Sequence, residues 1–207
     1  MINRLFKTAL FLAIIPLLLF GCGQAMEETS TDTVVYHSDY PHYETIDEME
    51  EISNLIISGK VVDSTVQVLD VSGQPLTEEE LNDEEKNPHP EGKQPNEEPL
   101  ESVYTVSTIE IDEKFKGEYS EEVIKVKQGG GVYDDVLHVE SGVEMFEEGK
   151  SYILFLQTYD SIPASLLNPY QDAYVFGDGE IQSFHPDNDL SLNIEKIQQV
   201  KEKYASR

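Results

Sequence analysis

A single cysteine limits what this chain can fold into. Among its 207 residues only Cys22 carries a thiol, so no intrachain disulfide can form. The fold must therefore be stabilised by a buried hydrophobic core. A domain of about 150 residues or more can bury enough apolar surface for that purpose, and the length of the chain suits one such domain.

The cysteine follows an apolar segment at the N-terminus. Arg4 and Lys7 provide positive charge, and residues 8–20 are apolar apart from Thr8 and a break at Pro16. This segment is shorter than the ~20 apolar residues that a membrane-spanning helix requires. Its length and its positive flank are typical of the hydrophobic region of an export signal.

The residues around the cysteine resemble the lipobox of bacterial lipoproteins. Leu19 lies at position −3, Gly21 at −1 and Cys22 at +1, while Phe20 is bulkier than the residue usual at −2. The resemblance implies that residues 1–21 are a cleaved signal peptide and that Cys22 becomes a lipidated N-terminus carrying fatty acids such as palmitate. Two acyl chains hold a protein stably at a membrane. The alternatives are an uncleaved signal anchor and a secreted protein with a free thiol.

The implied location is the extracytoplasmic face of a cell membrane, as on a Gram-positive surface. Acidic residues dominate the chain, with 41 Asp and Glu against 14 Lys and Arg and a net charge of −27. Removal of Arg4 and Lys7 with the signal would leave −29. Such a charge opposes binding to nucleic acid and to anionic lipid, and it favours cations or basic partners.

Residues 22–43 are predicted to be a lipidated tether. The segment begins with small polar residues, but its second half contains apolar side chains that we expect to pack on the domain: Val34, Val35, Tyr36, Tyr40 and Tyr43. The same half offers His37, Asp39 and His42 as conceivable metal ligands. Nothing nearby completes a ligand set, so ordinary docking is the simpler interpretation.

Residues 44–207 are predicted to form one domain that is mainly β (α+β). A Thr45-x-x-Glu48 capping box begins a short helix. β-branched runs follow, with a bulge or bend at Gly59 and a second extended piece at 66–71. Further strands are expected in the segments 102–115, 123–128, 132–140 and 151–157, then a hairpin over 170–184 and a C-terminal helix at about 189–204.

Residues 72–98 have a different composition from the rest of the domain. They are rich in Pro, Gly and acidic residues and nearly lack large apolar ones, so we predict a disordered, exposed loop between two strands. Its acids could bind a cation, although runs of like charge are usually only solvated. These acids are Glu78, Glu79, Glu80, Asp83, Glu84 and Glu85, with His89 nearby.

The order of glycines and aromatics resembles the OB-like barrel domain of netrin modules and tissue metalloproteinase inhibitors. The landmarks are Gly59, Lys116-Gly117, Gly129 to Gly131, Gly149, Tyr152 and Phe155-Leu156. The resemblance implies a partly open β-barrel over about residues 44–185. In that family a free N-terminal cysteine chelates the protease zinc. A lipidated Cys22 could not, so the inhibitor function is not expected here.

Two further motifs suggest ligand chemistry but have simpler explanations. The three glycines at 129–131 lack the spacing of a phosphate-binding loop and are better explained as a bend that needs positive φ. The segment 185–189 begins like a calcium loop, but Gln198 stands where a glutamate ligand is needed. Its acids equally suit the start of the last helix, and His138 is expected on a strand face.

No set of residues in the sequence indicates catalysis, since no nucleophile–base pair or metal cluster is recognisable. We therefore predict a non-enzymatic, membrane-anchored binding module, without a cofactor and monomeric, whose protein or small-molecule partner is unknown. The alternative is a lipoprotein that binds Ca²⁺ or another divalent cation. A metalloprotease inhibitor or a hydrolase fits the sequence less well.

Overall fold

A computed structural model describes residues 32–71, 101–177 and 179–205. Cys22 and the acidic segment 72–98 lie outside the described residues. Within these ranges the chain forms nine strands and two helices. The strands are β1 (Asp32–Tyr36), β2 (Leu55–Asp70), β3 (Glu101–Lys116), β4 (Val123–Tyr133), β5 (Val136–Glu140), β6 (Ser151–Gln157), β7 (Ala164–Leu166), β8 (Ala173–Gly177) and β9 (Glu180–Ser183). The helices are α1 (Ile46–Ile52) and α2 (Ile194–Ala205).

The pairings of five strands run in a ring. β3 pairs antiparallel with β2 and β4, and β2 also pairs with β6. The short β7 joins β6 to β4 and so closes the ring. β5 and β1 extend the sheet beyond β4, while β8 and β9 extend it beyond β6. The predicted class, mainly β with a partly open barrel, is confirmed.

β2 is one long strand, whereas two extended pieces were expected. Its pairing with β3 changes register between Ser58 and Gly59, which confirms the predicted irregularity at this glycine. A Cβ on Gly59 would lie 2.5 Å from the carbonyl oxygen of Glu110 on β3. The absence of a side chain therefore lets the two backbones approach closely while the strand continues.

β6 is covered on both faces, as its apolar sequence predicts. Tyr152, Leu154 and Leu156 pack inside the ring, in a cluster with residues of β2, β3 and β4. Ile153 and Phe155 point the other way, into a second cluster that includes residues of α1 and α2. All five side chains are at most 1% exposed, so β6 separates two dry layers of the core.

The glycines at the end of β4 adopt the predicted left-handed conformations. Gly130 and Gly131 have φ of 105° and 135°, which glycine reaches without steric cost. The chain then reverses at Asp134 and Asp135, whose φ values are also positive at 48° and 62°. This tight turn pairs β4 with β5, a hairpin where the sequence suggested one extended segment.

Both helices begin at side-chain caps, one of them later than predicted. Thr45 Oγ1 accepts a hydrogen bond from the Glu48 N–H at 3.2 Å, which confirms the cap of α1. α2 begins at Ile194, not at about residue 189, and Asn193 Oδ1 accepts from the Lys196 N–H at 2.8 Å. The predicted start was wrong because Asn193 caps the helix and the preceding acids belong to a separate turn.

Candidate functional site

A cleft of about 1000 Å³ lies beside the strand ring. Its walls come from the end of β2, the start of β3, the middle of β4, the end of β5 and the segment from Thr158 through β7. The short pairing of β4 with β7 places Lys127 opposite Ser165, and the pairing of β1 with β5 places Tyr36 opposite Glu140. Pairings between segments distant in sequence therefore assemble the site.

Glu140, the last residue of β5, provides a partly buried carboxylate. Its Oε1 atom is buried and accepts no hydrogen bond from the described residues. Gly129 on β4 makes room for this carboxylate, because a Cβ there would lie only 2.0 Å from Glu140 Oε2. A buried acceptor without a donor costs about 1–3 kcal/mol, so this oxygen has an unmet requirement for a donor.

Two tyrosine hydroxyls of the cleft are affected by this carboxylate. Burial raises the pKa of Tyr40, and the carboxylate of Glu140 raises it further. The pKa of Tyr104 is raised by the same two causes, again with burial first. Both hydroxyls therefore stay protonated at neutral pH and can act as hydrogen-bond donors.

Lys127 provides a buried amine on the β4 wall. The residue is 9% exposed, and burial lowers the pKa of its amine to about 8. Its Nζ donates to the carbonyl oxygen of Pro163 at 3.0 Å and lies 4.5 Å from the ring centroid of Tyr159. Within the described ranges Lys127 forms no ion pair with a carboxylate. The charge of Lys127 is thus stabilised by the Pro163 carbonyl and by the aromatic ring of Tyr159.

The predicted ligand candidates of the tether segment are not brought together. His37, Asp39 and His42 are all exposed, and His42 Nε2 lies 3.5 Å from Asp189 Oδ2 instead. In the described part of the chain no group of three His, Cys, Asp or Glu side chains is arranged to hold a metal ion. Tyr43 is buried, but Val34, Val35 and Tyr36 stay 38–53% exposed, although their backbone joins the sheet.

The segment 185–189 forms a turn that uses its polar groups internally. Asn188 Oδ1 accepts from the Leu190 N–H at 2.9 Å, and Asn188 Nδ2 donates to the Gln171 carbonyl oxygen at 3.2 Å. Asp189 Oδ1 accepts from Gln171 Nε2 at 2.8 Å. These oxygens stabilise the turn against β8 and are not directed together at one point, as a calcium loop requires.

The remaining histidines have structural contacts. His138 stacks on Tyr36 with ring centroids 5.9 Å apart, and its Nδ1 is 2.8 Å from the Tyr36 hydroxyl. It thus joins β1 to β5, in agreement with the expected position on a strand face. His185 is buried with its ring against Tyr170. Cys22, His89 and the acids at 78–85 lie outside the described residues.

Sequence reasoning missed the cleft residues. Glu140 and Lys127 each lie in a strand where alternation suggests an ordinary surface charge, and Tyr40 was assigned to docking of the tether. One local signal was present: Gly129 lies within β4 and leaves space that only a neighbouring side chain can fill. The sequence could not indicate which side chain that would be.

Of the helices described, none is long and apolar enough to span a membrane. The chain matches no model of a known protein family, and no curated protein is significantly similar to it.

Proposed function

We propose that the protein is a lipid-anchored surface lipoprotein whose β-domain binds a ligand in the cleft without catalysing a reaction. The observation that carries the proposal is a cleft large enough for a small ligand and lined by Glu140, one oxygen of which is buried without a donor among the described residues. Ligand sites are concave and combine apolar walls with few fixed polar groups. This cleft is concave and more polar than such sites usually are, with charged and hydroxyl side chains beside a few aliphatic ones.

The hydroxyl of Ser165 and the amine of Lys127 are held by neighbours, which supports binding over chemistry. Ser165 Oγ lies 2.9 Å from the Tyr159 hydroxyl, where a catalytic serine would need a base. Lys127 is fixed by the Pro163 carbonyl. Fixed groups of this kind orient a ligand without reorganising when it binds.

The proposed anchor rests on the sequence Leu19-Phe20-Gly21-Cys22. A ring of five strands is also compatible with the barrel of the netrin and metalloproteinase-inhibitor modules that the sequence resembles. We do not extend their inhibitor activity to this chain, because a lipidated Cys22 would be held at the membrane and has no second cysteine for a disulfide. The anchor would instead present the domain and its cleft outside the membrane.

Substitution of the cysteine tests the anchor. In cells labelled with palmitate, Cys22→Ala should lose the label and leave the membrane fraction, because it has no thiol to acylate. Phe20→Ala is the matched control, since it makes the motif more regular and should keep both label and location. A Cys22→Ala chain that still matures and stays with membranes would disprove lipid anchoring.

A cleft-filling variant tests ligand binding. The full chain in nonionic detergent is screened for thermal stabilisation by small anionic, neutral and cationic compounds, since a ligand at 100 times its Kd stabilises the fold by about 2.7 kcal/mol. Ser165→Trp should abolish the response by filling the cleft, whereas Ser191→Trp, at an exposed position outside its lining, should keep it. Equal responses from both variants, or no response from any compound, would refute a ligand site in the cleft.

A further inference from the structure

The cleft contains more acidic than basic side chains. Glu140 and Asp160 line it together with the single lysine Lys127, and Asp70 adds a third carboxylate. The whole chain adds to this imbalance with its net charge of −27. The electrostatic potential in the cleft therefore favours a positive group over a negative one.

The buried oxygen of Glu140 requires a donor, and a cationic donor satisfies it best. The Tyr40 hydroxyl already hydrogen-bonds the partly buried carboxylate, so a further neutral donor would leave its negative charge without a cationic partner. An ammonium or guanidinium group supplies both the hydrogen and the opposite charge, and such charge-assisted bonds are about twice as strong as neutral ones. Because a Cβ on Gly129 would lie 2.0 Å from Glu140 Oε2, the carboxylate occupies the space that this glycine leaves beside β4.

The aromatic lining supports the same ligand class. Tyr40, Tyr104 and Tyr159 all line the cleft, and ring faces attract cations within about 6 Å of the ring centre. One such contact already exists inside the cleft, where the Lys127 ammonium lies 4.5 Å from the Tyr159 ring centroid. The site is therefore able to hold a positive nitrogen on a tyrosine ring.

An anionic ligand fits these observations less well. It would depend on Lys127, whose Nζ already donates to the Pro163 carbonyl and contacts the Tyr159 ring. It would also approach the carboxylates of Glu140 and Asp160 at the cost of like-charge repulsion.

We propose that the cleft binds its ligand through a positively charged nitrogen group, an ammonium or a guanidinium, which pairs with Glu140 and lies against the tyrosines of the lining. This inference rests on the proposed function, because it names the ligand class of the same cleft. The cation in question is an organic one, since the cleft shows carboxylates together with aromatic rings and not a set of converging oxygens.

Calorimetric titration of the full chain in nonionic detergent at physiological salt tests the inference. The probes are agmatine and n-butylammonium as cations, butyrate as the anion and 1-butanol as the neutral compound. We expect one saturable site for at least one cation. Glu140→Gln should weaken it by about 10-fold or more, since losing a charged hydrogen bond costs about 1.5–3 kcal/mol.

Three further variants make the result specific. Glu148→Gln removes the same charge from an exposed position outside the cleft lining and should change the affinity by less than about twofold, because surface charges are screened. Gly129→Ala keeps the charge but displaces the carboxylate, so it should weaken binding as Glu140→Gln does. Lys127→Gln should strengthen binding by removing a like charge. Melting temperatures show that each variant is folded.

The other possible outcomes show whether the cationic ligand class, the ligand site itself, or both are wrong. Butyrate binding that Ser165→Trp abolishes, with no cation binding, would overturn the cationic class and leave the ligand site intact. Equal losses in Glu140→Gln and Glu148→Gln would reduce the effect to general surface attraction and overturn the inference. Binding of no probe in any charge class would overturn both. Comparison of agmatine with n-butylammonium shows whether guanidinium or ammonium is preferred.

Discussion

The two apolar layers around β6 and the cleft beside β4 both contain buried polar groups, but only the cleft has open space beside them. In the core Gln171 is 1% exposed, and its side chain accepts from the Tyr43 N–H at 2.9 Å and donates to the Tyr43 carbonyl at 2.9 Å. In the cleft, Glu140 has a buried oxygen without a donor among the described residues. Lys127 is buried and forms no ion pair with a carboxylate of the described residues.

In the core, Asp172 Oδ1 and the Tyr174 hydroxyl are likewise buried without a partner among the described residues. The cleft therefore differs from the core in the open space beside its polar groups.

This contrast separates stability from function. Natural proteins depart from complete polar satisfaction mainly at functional sites, where the cost is offset elsewhere in the fold. Here burial of the apolar layers around β6 supplies the stabilising free energy that offsets this cost. Substitutions in the core should therefore change the free energy of unfolding, and substitutions in the cleft should change ligand affinity with little effect on unfolding.

The largest expected effect is loss of a core aromatic. Phe155→Ala should lower the free energy of unfolding by about 3–5 kcal/mol, because the side chain is fully buried and packs on Tyr174 with ring centroids 6.1 Å apart. Val132→Ala is the control, since this β4 residue is 57% exposed and should cost less than about 0.5 kcal/mol. Urea unfolding followed by circular dichroism measures both. Similar losses at the two positions would contradict the assignment of β6 as the stabilising centre.

Substitution of two glycines, one in the core and one in the cleft, should give smaller losses of stability. Gly59→Ala should cost about 1–3 kcal/mol of stability, because its Cβ would meet the backbone oxygen of Glu110, which is fixed by strand pairing. Gly129→Ala meets only the end of the Glu140 side chain, which can rotate away, so we expect a loss below about 1 kcal/mol together with weaker cation binding. Urea unfolding and calorimetry measure the two effects. The reverse order of stability losses would contradict this distinction between core and cleft.

A buried acid in the core gives a prediction of another kind, on the pH dependence of stability. Burial raises the pKa of Asp172 to about 7, while its Oδ2 accepts from the N–H groups of Leu167 at 2.6 Å and Asn168 at 2.8 Å. An unfolded aspartate has a pKa of about 3.9, so between about pH 4 and 7 the folded state binds more protons. Stability should therefore decrease as pH rises through this window, by at most about 1.4 kcal/mol per unit.

Asp172→Asn should remove this part of the pH dependence, because an amide does not titrate and still offers an oxygen to the two N–H groups. Asp187→Asn, at an exposed position, should retain it. The measurement is the free energy of unfolding in urea at pH values from 4 to 8. Identical pH profiles for Asp172→Asn and the unsubstituted chain would show that this acid does not titrate in the window.

Local signals in the sequence were sufficient for much of the fold. The Thr45 cap, the Gly59 irregularity and the two covered faces of β6 follow from side-chain chemistry within a few residues. The turn at Asp134 and Asp135 was not recognisable, because an Asp-Asp pair lacks the glycine that usually marks a turn with positive φ. The start of α2 was misplaced because several residues before it could equally act as a cap.

The cleft could not be predicted because it depends on long-range pairing. Glu140 and Tyr40 are brought together by the parallel pairing of β1 with β5, and Lys127 meets Ser165 through the brief contact of β4 with β7. Neither pairing has a local sequence signature. Alternation of apolar and polar residues indicates which face of a strand is buried, but not which distant strand lies beside it.

Chemical-shift mapping tests most directly whether the cleft is the ligand site. The amide spectrum of the ¹⁵N-labelled full chain in detergent micelles is recorded while agmatine is added. We predict saturable shifts centred on Gly129, Glu140 and Tyr104, with the amide of Leu154 in the core unchanged. Shifts spread over the exposed acidic residues, or centred away from the cleft on α2, would contradict a specific cation site at Glu140.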